Sequence, residues 1–397
     1  MNAQALGWDT HRKFSKVSLL EMTAEGEIQV KERVRLEHAD RDTMRQWLRR
    51  VPKGTPVAIE AAFGWPWIAD LLEEAELDPH LGHPPALKVL AQHEAKSDRC
   101  DSDRLAKFQL RGILPESYLA PPEVRQVRER TRYRMALSGL RSAVKNRIHA
   151  LLHRFGILHA YSDLFGKQGR QFLEQLQLPP ASRAVLEGSL ELLDEIVRQI
   201  ALVEKWMKAN IEEDEVVRLL QTIPGIGLIL AYVIRAEIGE ISRFPSARHL
   251  RSYSGTAPVS DDSADRHGAR HCSPACNHAL RWALIEAVSG VLLTKGPRGL
   301  RLRRLHARLT HGGKCNKNQA KVALAGELAE LVFIVWKKQT PYKETPSARP
   351  GSIRREPARG PRHEENAKNQ VSANMRSDQS RFPIARRGTS GAGQALL

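Results

Sequence analysis

The chain is predicted to be α/β plus α, with an N-terminal α/β region, a long helical hairpin and a mainly helical C-terminal region. Three observations predict this order. Short apolar runs punctuated by turn signals fill residues 5–115. Apolar residues recur at three- and four-residue steps through 121–215, and two apolar helical stretches flank a Pro-Gly junction near 225.

Taken in order, residues 6–9 and 17–22 read as strands joined by a tight polar turn, and 57–61 as a β-prone run after the turn signal at 52–54. Helices are expected around 40–50 and 66–75, with another starting near Ser97. Leu137, Leu140, Val144, Ile148 and Leu151 then repeat at helical spacing, and Gly156 is a natural stop. Leu186, Leu190, Leu193, Val197, Ile200 and Met207 repeat the pattern. Two such helices with a Pro/Gly-containing connection predict an antiparallel hairpin that also offers a dimerisation surface. The boundaries that follow are 1–118, 119–215, 216–342 and a tail at 343–397.

The 397 residues carry 62 Lys+Arg against 45 Asp+Glu, a net charge of +17. That surplus points to a polyanionic partner, of which nucleic acid is the commonest for a soluble protein. Mean hydropathy is −0.43, and the apolar stretch 323–336 is broken by Glu327 and Glu330, so no membrane span is expected. No apolar leader opens the chain, and four cysteines make no disulfide framework, which predicts a reducing, cytoplasmic setting. The charge is clustered. Between Glu123 and Arg154 nine Lys/Arg face two acids, which predicts a helix face that tracks a phosphate backbone. No acid occurs between Glu286 and Glu327, where Arg301, Arg303 and Arg304 lie among nine basic residues. The tail, with eleven basic and five acidic residues and one aromatic, reads as disordered.

Four constellations can carry chemistry. Asp9 and Glu60 each close an apolar strand, and Asp98 and Asp101 stand one helical step apart. An acid in that position is costly unless it meets water or a cation, and grouped carboxylates are the hard ligands of Mg²⁺ or Mn²⁺. Taken singly, each has a plain structural role, Asp98 as a helix cap for instance, and Asp103 competes with Asp101 for the second helical position. Pro224, Gly225, Ile226 and Gly227 form a helix-hairpin-helix pattern whose amides can face a phosphate, or else an ordinary helix junction. A polar loop at 258–268 holds Ser260 and Ser263, nucleophiles only if activated. His271, Cys272, Cys276 and His278 are metal-ligand types, yet a single Cys-x₃-Cys is half a zinc site.

The segments GWDTHRK, VAIEAAFGWPW, HPPALKVL, KSDRCDSDRLAKF, KNRIHALLHRFG, TIPGIGLILAYVIRAEIGEISRF and ACNHALRWALIEAV occur in an order that resembles the DEDD-type insertion-sequence transposases. These are relatives of the pilin-gene invertases and include bridge-RNA-guided recombinases. The resemblance spans residues 5–342 and implies an RNase H-like (RuvC-like) N-terminal domain, a coiled-coil linker and a C-terminal transposase domain. It implies an acidic tetrad at Asp9, Glu60, Asp98 and Asp101 and a nucleophilic serine. The family's Ser-Ser-Gly or Gln-Ser-Gly motif falls on Asp262-Ser263-Ala264, so Ser263 matches while both its neighbours depart, and Ser260 is the alternative. The implied partners are DNA, as element ends and target, a structured non-coding RNA and further copies of the chain, in a prokaryotic, nucleoid-associated setting. A metal-dependent junction endonuclease and a degenerate, non-catalytic DNA-binding copy are the rival expectations.

Overall fold

Eight residues after the N-terminus an apolar strand meets its first acid, and the sheet is organised around that strand. In a computed structural model, which describes residues 3–91, 101–209, 214–259, 271–272, 275–311 and 316–344, β1 (Ala3–Thr10) pairs antiparallel with β2 (Phe14–Met22), and β2 with β3 (Ile28–Glu37). On its other side β1 runs parallel to β4 (Pro56–Glu60), which is parallel to β5 (Asp78–Gly82), and the short β6 (Glu116–Ser117) closes the edge. The order β3-β2-β1-β4-β5-β6, with three antiparallel strands continued by parallel ones, fits an RNase H-like fold.

Helix α1 (Arg41–Leu48) begins where the Asp40 carboxylate accepts the Thr43 amide at 3.0 Å. With α2 (Trp65–Glu74) it covers one sheet face, burying Leu6, Trp8, Ile59, Met44, Ile68 and Leu72. The opposite face carries α3 (Pro84–Ala91) and α4 (Asp101–Leu110), with Leu87, Leu105 and Phe108 packed on Ala58. The strands and helices expected at 6–9, 17–22, 40–50, 57–61 and 66–75 are present with longer or shifted ends. The stretch 92–100, where the helix near Ser97 was to begin, lies outside the described residues, and α4 is described from Asp101. Strands β3 and β5 are additions. The first is a charged edge strand, IQVKERVRLE, with only Leu36 buried; its signal is the alternation of Ile28, Val30, Val34 and Leu36 with polar residues and not an apolar run.

Helices α5 (Pro122–Arg154) and α7 (Pro180–Ala209) form the antiparallel pair, with α6 (Lys167–Gln175) in the connection. Leu137, Val144, Ile148 and Leu152 meet Leu186, Leu190, Leu193, Ile196 and Ile200, and Gly156 ends α5 at φ +63°. Leu140 and Val197, assigned to the core by spacing, instead face solvent, and Met207 packs into the C-terminal core.

The arginines of α5 also do something other than the sequence suggested. Arg125 bonds Asp70 of α2, Arg134 bonds Glu204 of α7 at 2.6 Å, and Arg130 lies 3.9 Å from the Trp206 ring centroid. Arg128 and Arg132 reach the C-terminal region. Five of the nine basic residues of that row, Arg125, Arg128, Arg130, Arg132 and Arg134, therefore act as staples between regions, although Arg130 and Arg132 keep exposed surface.

The C-terminal core is built from α8 (Glu215–Gln221), α9 (Leu228–Ile238), α10 (Ala247–Tyr253), α11 (His278–Leu293), α12 (Leu300–Thr310) and α13 (Lys317–Lys338). Its joint with α5 is ionic. The wholly buried Glu237 of α9 accepts the Arg132 Nε and Nη2 at 2.8 Å each and the Asn277 amide at 2.8 Å. Arg128 donates to the carbonyls of Ala236 and Glu237 at 2.8 Å each. Burial raises the Glu237 pKa, but these hydrogen bonds and charges outweigh it and hold the carboxyl below its ordinary range. Among the described residues no helix is long and apolar enough to cross a membrane. The tail from 345 lies outside the described residues.

Glu237→Gln is expected to cost about 3 kcal/mol at pH 7, because it leaves Arg128 and Arg132 without their counter-charge. The depressed pKa sets the sign. The contribution is complete above the unfolded glutamate pKa and is lost as pH falls through the folded one, so urea denaturation of wild type and variant should converge on acidification.

Candidate functional site

The parallel register of β1 and β4 pairs Trp8 with Ile59, so the next residue of each strand, Asp9 and Glu60, emerges at the same sheet end. The third acid comes from α4, whose first residue is Asp101. Helix α4 reaches this position because Gly7 has no side chain. A β-carbon there would lie 1.8 Å from the Ser102 carbonyl oxygen and 2.7 Å from the Ala106 amide. Two polar contacts fix the helix in place. The Ser18 and Ser102 hydroxyls are 2.8 Å apart and buried, and Arg33 of β3 grips Asp103 with Nε to Oδ1 at 3.0 Å and Nη2 to Oδ2 at 2.6 Å.

These contacts separate two acids that looked equivalent. Asp103 is buried; the Arg33 and Ser18 hydrogen bonds overcome its burial and lower its pKa. Asp101 is exposed, with Arg104 at 3.2 Å. Asp9 has its pKa raised, mainly by burial and further by the Asp101 charge, against the opposing pull of His11, whose Nε2 stands 3.2 Å from Oδ2. Glu60 is raised by burial, then by Asp9 and by Asp101. Three carboxylates from three elements thus act on one another electrostatically with too little cationic charge among them.

Oxygen-only donors with a charge deficit are the set that Mg²⁺ or Mn²⁺ takes. Among the described residues no three His, Cys, Asp or Glu side chains are drawn close enough to enclose an ion, and Asp98 lies outside the described residues. Of the cysteine and histidine half-site, Cys276 Sγ lies 3.9 Å from His278 Nδ1, and the side chains of His271 and Cys272 are outside what is described.

Ser260 and Ser263 also lie outside the described residues, in the segment 260–270. Its two ends are paired, β7 (Pro258–Val259) antiparallel with β8 (His271–Cys272). The ribbon stands between α10 and α11, where the Asn277 amide bonds both Glu237 and the Tyr253 hydroxyl, at 2.8 and 2.9 Å.

Pro224, Gly225, Ile226 and Gly227 make the turn between α8 and α9. Gly225 has φ +80°, and a β-carbon on it would stand 2.1 Å from the Ala287 carbonyl oxygen, so this glycine serves packing against α11. With Gln221, Gly290, Thr294 and Arg298 the turn lines a surface pocket of ≈ 370 Å³. Arg298 donates to the Gln221 carbonyl at 2.9 Å. Arg301 and Arg304 are exposed, Arg301 lying 3.2 Å from Glu327. Arg303 is turned inward and bonds the Arg298 carbonyl at 2.7 Å and that of Gly296.

Ser102, Arg33 and Gly7 were not singled out by sequence. A glycine inside an apolar strand is the one available signal, since it marks a close backbone approach.

Two family models match the chain. A DEDD transposase model covers residues 6–157, and one described as the transposase IS116/IS110/IS902 family covers 217–302. The transposase for insertion sequence element IS1111A of Coxiella burnetii is 27% identical over 258 residues, 62% of this chain and 68% of the relative. That for IS1328 of Yersinia enterocolitica is 23% identical over 292 residues, 72% and 85% respectively.

The charge imbalance has a measurable sign. Without divalent cations, Glu60→Gln should raise the melting temperature by removing repulsion from Asp9 and Asp101. Asp103→Asn should lower stability by about 1–3 kcal/mol through loss of a charged hydrogen bond. Thermal melts in EDTA check both, and a stabilising Asp103→Asn would reverse the assigned roles.

Proposed function

We propose that this chain, which belongs to the IS116/IS110/IS902 family of DEDD-type insertion-sequence transposases, excises and inserts its element by serine-linked strand exchange assisted by a divalent cation. It is a DNA transposase/recombinase, so its substrate is the phosphodiester backbone. What supports the finer reading is that Asp9 and Glu60 leave the same sheet end by parallel register and that Asp101, from a third element, acts on both electrostatically. Together with Asp98 they would hold Mg²⁺ or Mn²⁺. Bound there, the ion would supply charge neutralisation to a phosphate approaching the end of β1 and β4.

Ser263 would then attack that phosphate through Oγ. A serine–phosphorus ester forms, the bond to one DNA strand breaks, and the departing strand oxygen gains a proton while the serine loses one. Attack by a second strand's hydroxyl reverses the exchange, so the phosphoester bond is conserved and no external energy source is required. Ser260 is the alternative nucleophile. Because the serine and the carboxylates belong to distant parts of the chain, the complete site is proposed to form within an oligomer. The turn at Pro224, Gly225, Ile226 and Gly227, with Arg301, Arg303 and Arg304, would hold DNA. Arg303 would act there through its charge and the loop it orders. A structured RNA made by the element would guide the choice of site.

A junction endonuclease acting with water is the competing reading, since a divalent ion held by carboxylates can also activate water. One experiment separates the two. With element-end DNA, the element's transcript and Mg²⁺, wild type should cut and leave a covalent protein–DNA adduct. Ser263→Ala should form no adduct and cut about a thousandfold less or worse, while Asp9→Ala should bind DNA but neither cut nor link. Undiminished cutting by Ser263→Ala would establish water as nucleophile. An adduct that survives in Ser263→Ala and vanishes in Ser260→Ala would move the nucleophile.

A further inference from the structure

Immediately after Glu60 the chain makes a tight, hydrogen-bonded turn into α2. The Ala62 amide donates to the Glu60 carbonyl at 2.7 Å and the Trp65 amide to the Ala62 carbonyl at 3.5 Å. Phe63 and Gly64 are the central residues, and the φ of +93° at Gly64 is the left-handed conformation such a turn requires. This turn holds Phe63 entirely in water, 100% exposed, whereas the next most exposed large apolar side chain in the first 118 residues described is Val89 at 56%. A phenyl ring held out on an ordered turn three residues from a carboxylate of the candidate site has no role in the core beneath it.

The surroundings define what it fits. Trp67 packs under the turn, its Nε1 3.3 Å from where a β-carbon on Gly64 would lie. The Arg41 guanidinium covers Trp67 at 3.6 Å and the His38 ring meets it edge-on at 4.9 Å. Thr10, next to Asp9, touches the same glycine position at 3.9 Å. Arg12 and Lys13 are exposed in the adjoining turn between β1 and β2. An exposed flat apolar face, with cationic side chains on the neighbouring elements, is complementary to a partner that carries flat apolar faces on an anionic backbone.

We propose that Phe63 is a stacking platform for one unpaired DNA base beside the scissile phosphate, with Arg12, Lys13 and Arg41 drawing in the strand's backbone. Base–aromatic stacking is tolerant of sequence because every base has a π-face. Phe63 would therefore fix the strand's position relative to Asp9 and Glu60 without choosing its sequence. This rests on the transposase reading of that site and assigns it a positioning residue.

The test uses the full chain in EDTA, where cutting does not intervene, and element-end duplexes with 2-aminopurine as one unpaired base at successive positions. Wild type should alter the probe's fluorescence at one or two positions only. Phe63→Ala and Phe63→Leu should lose that signal and bind the unpaired-base duplex about tenfold more weakly, with unchanged affinity for the fully paired duplex. Phe63→Trp should restore both. Equal fluorescence responses in wild type and Phe63→Ala would overturn the proposal, as would a Phe63→Ala effect confined to oligomeric mass, which would make the ring a protein contact. Failure here with an Asp9→Ala variant that still cannot cut would leave the transposase reading standing. Cutting by Asp9→Ala would remove that reading instead.

Discussion

Where α4 crosses β1, backbone meets backbone across a single missing side chain. Any residue larger than glycine at position 7 would place a β-carbon 1.8 Å from the Ser102 carbonyl oxygen, which forces the helix outward. The buried Ser18–Ser102 pair and the Arg33–Asp103 fork then fix its register on the sheet. Everything at the candidate site follows from this seating. Strands β1 and β4 deliver Asp9 and Glu60 by parallel register alone, but Asp101 acts on them only because the start of α4 is held against the sheet. The result is a group of carboxylates that act on one another, with the pKa values of Asp9 and Glu60 raised.

A second constraint joins this sheet to the rest of the chain. Helix α5 sends Arg125 to α2, Arg134 to α7, and Arg128 and Arg132 to the buried Glu237 of α9. Part of a basic helix that looked like a nucleic-acid surface thus serves as an internal scaffold. On α12, Arg301 and Arg304 are exposed, Arg301 beside Glu327. Net charge of +17 identifies the class of partner, whereas the destination of each arginine decides where that partner can sit.

The parts legible in sequence were those that a short local pattern encodes. Apolar runs ending in acids marked β1 and β4, and three- and four-residue spacing marked α5 and α7. The edge strand β3 went unread although Ile28, Val30, Val34 and Leu36 alternate with polar residues, because Glu32 interrupts that face and no continuous apolar run marks it. Asp101 and Asp103 could not be told apart by spacing, since Arg33 lies seventy residues away in sequence. Leu140 and Val197 have core spacing but face water, because a two-helix hairpin buries a narrower stripe than a bundle does. Asp9 and Glu60 were readable as strand-end acids, but what brings the start of α4 towards them, a glycine's absent side chain, is tertiary.

The central proposal is that the seating of α4 brings carboxylates of separate elements into electrostatic reach of one another, as a divalent ion would require. Mn²⁺ binding followed by electron paramagnetic resonance in wild type and Gly7→Ala tests it most directly, since that variant keeps every carboxylate and alters only the helix's approach. With circular dichroism confirming that both are folded, wild type should bind the ion and Gly7→Ala should bind it far more weakly. Equal binding by the two proteins would contradict the account.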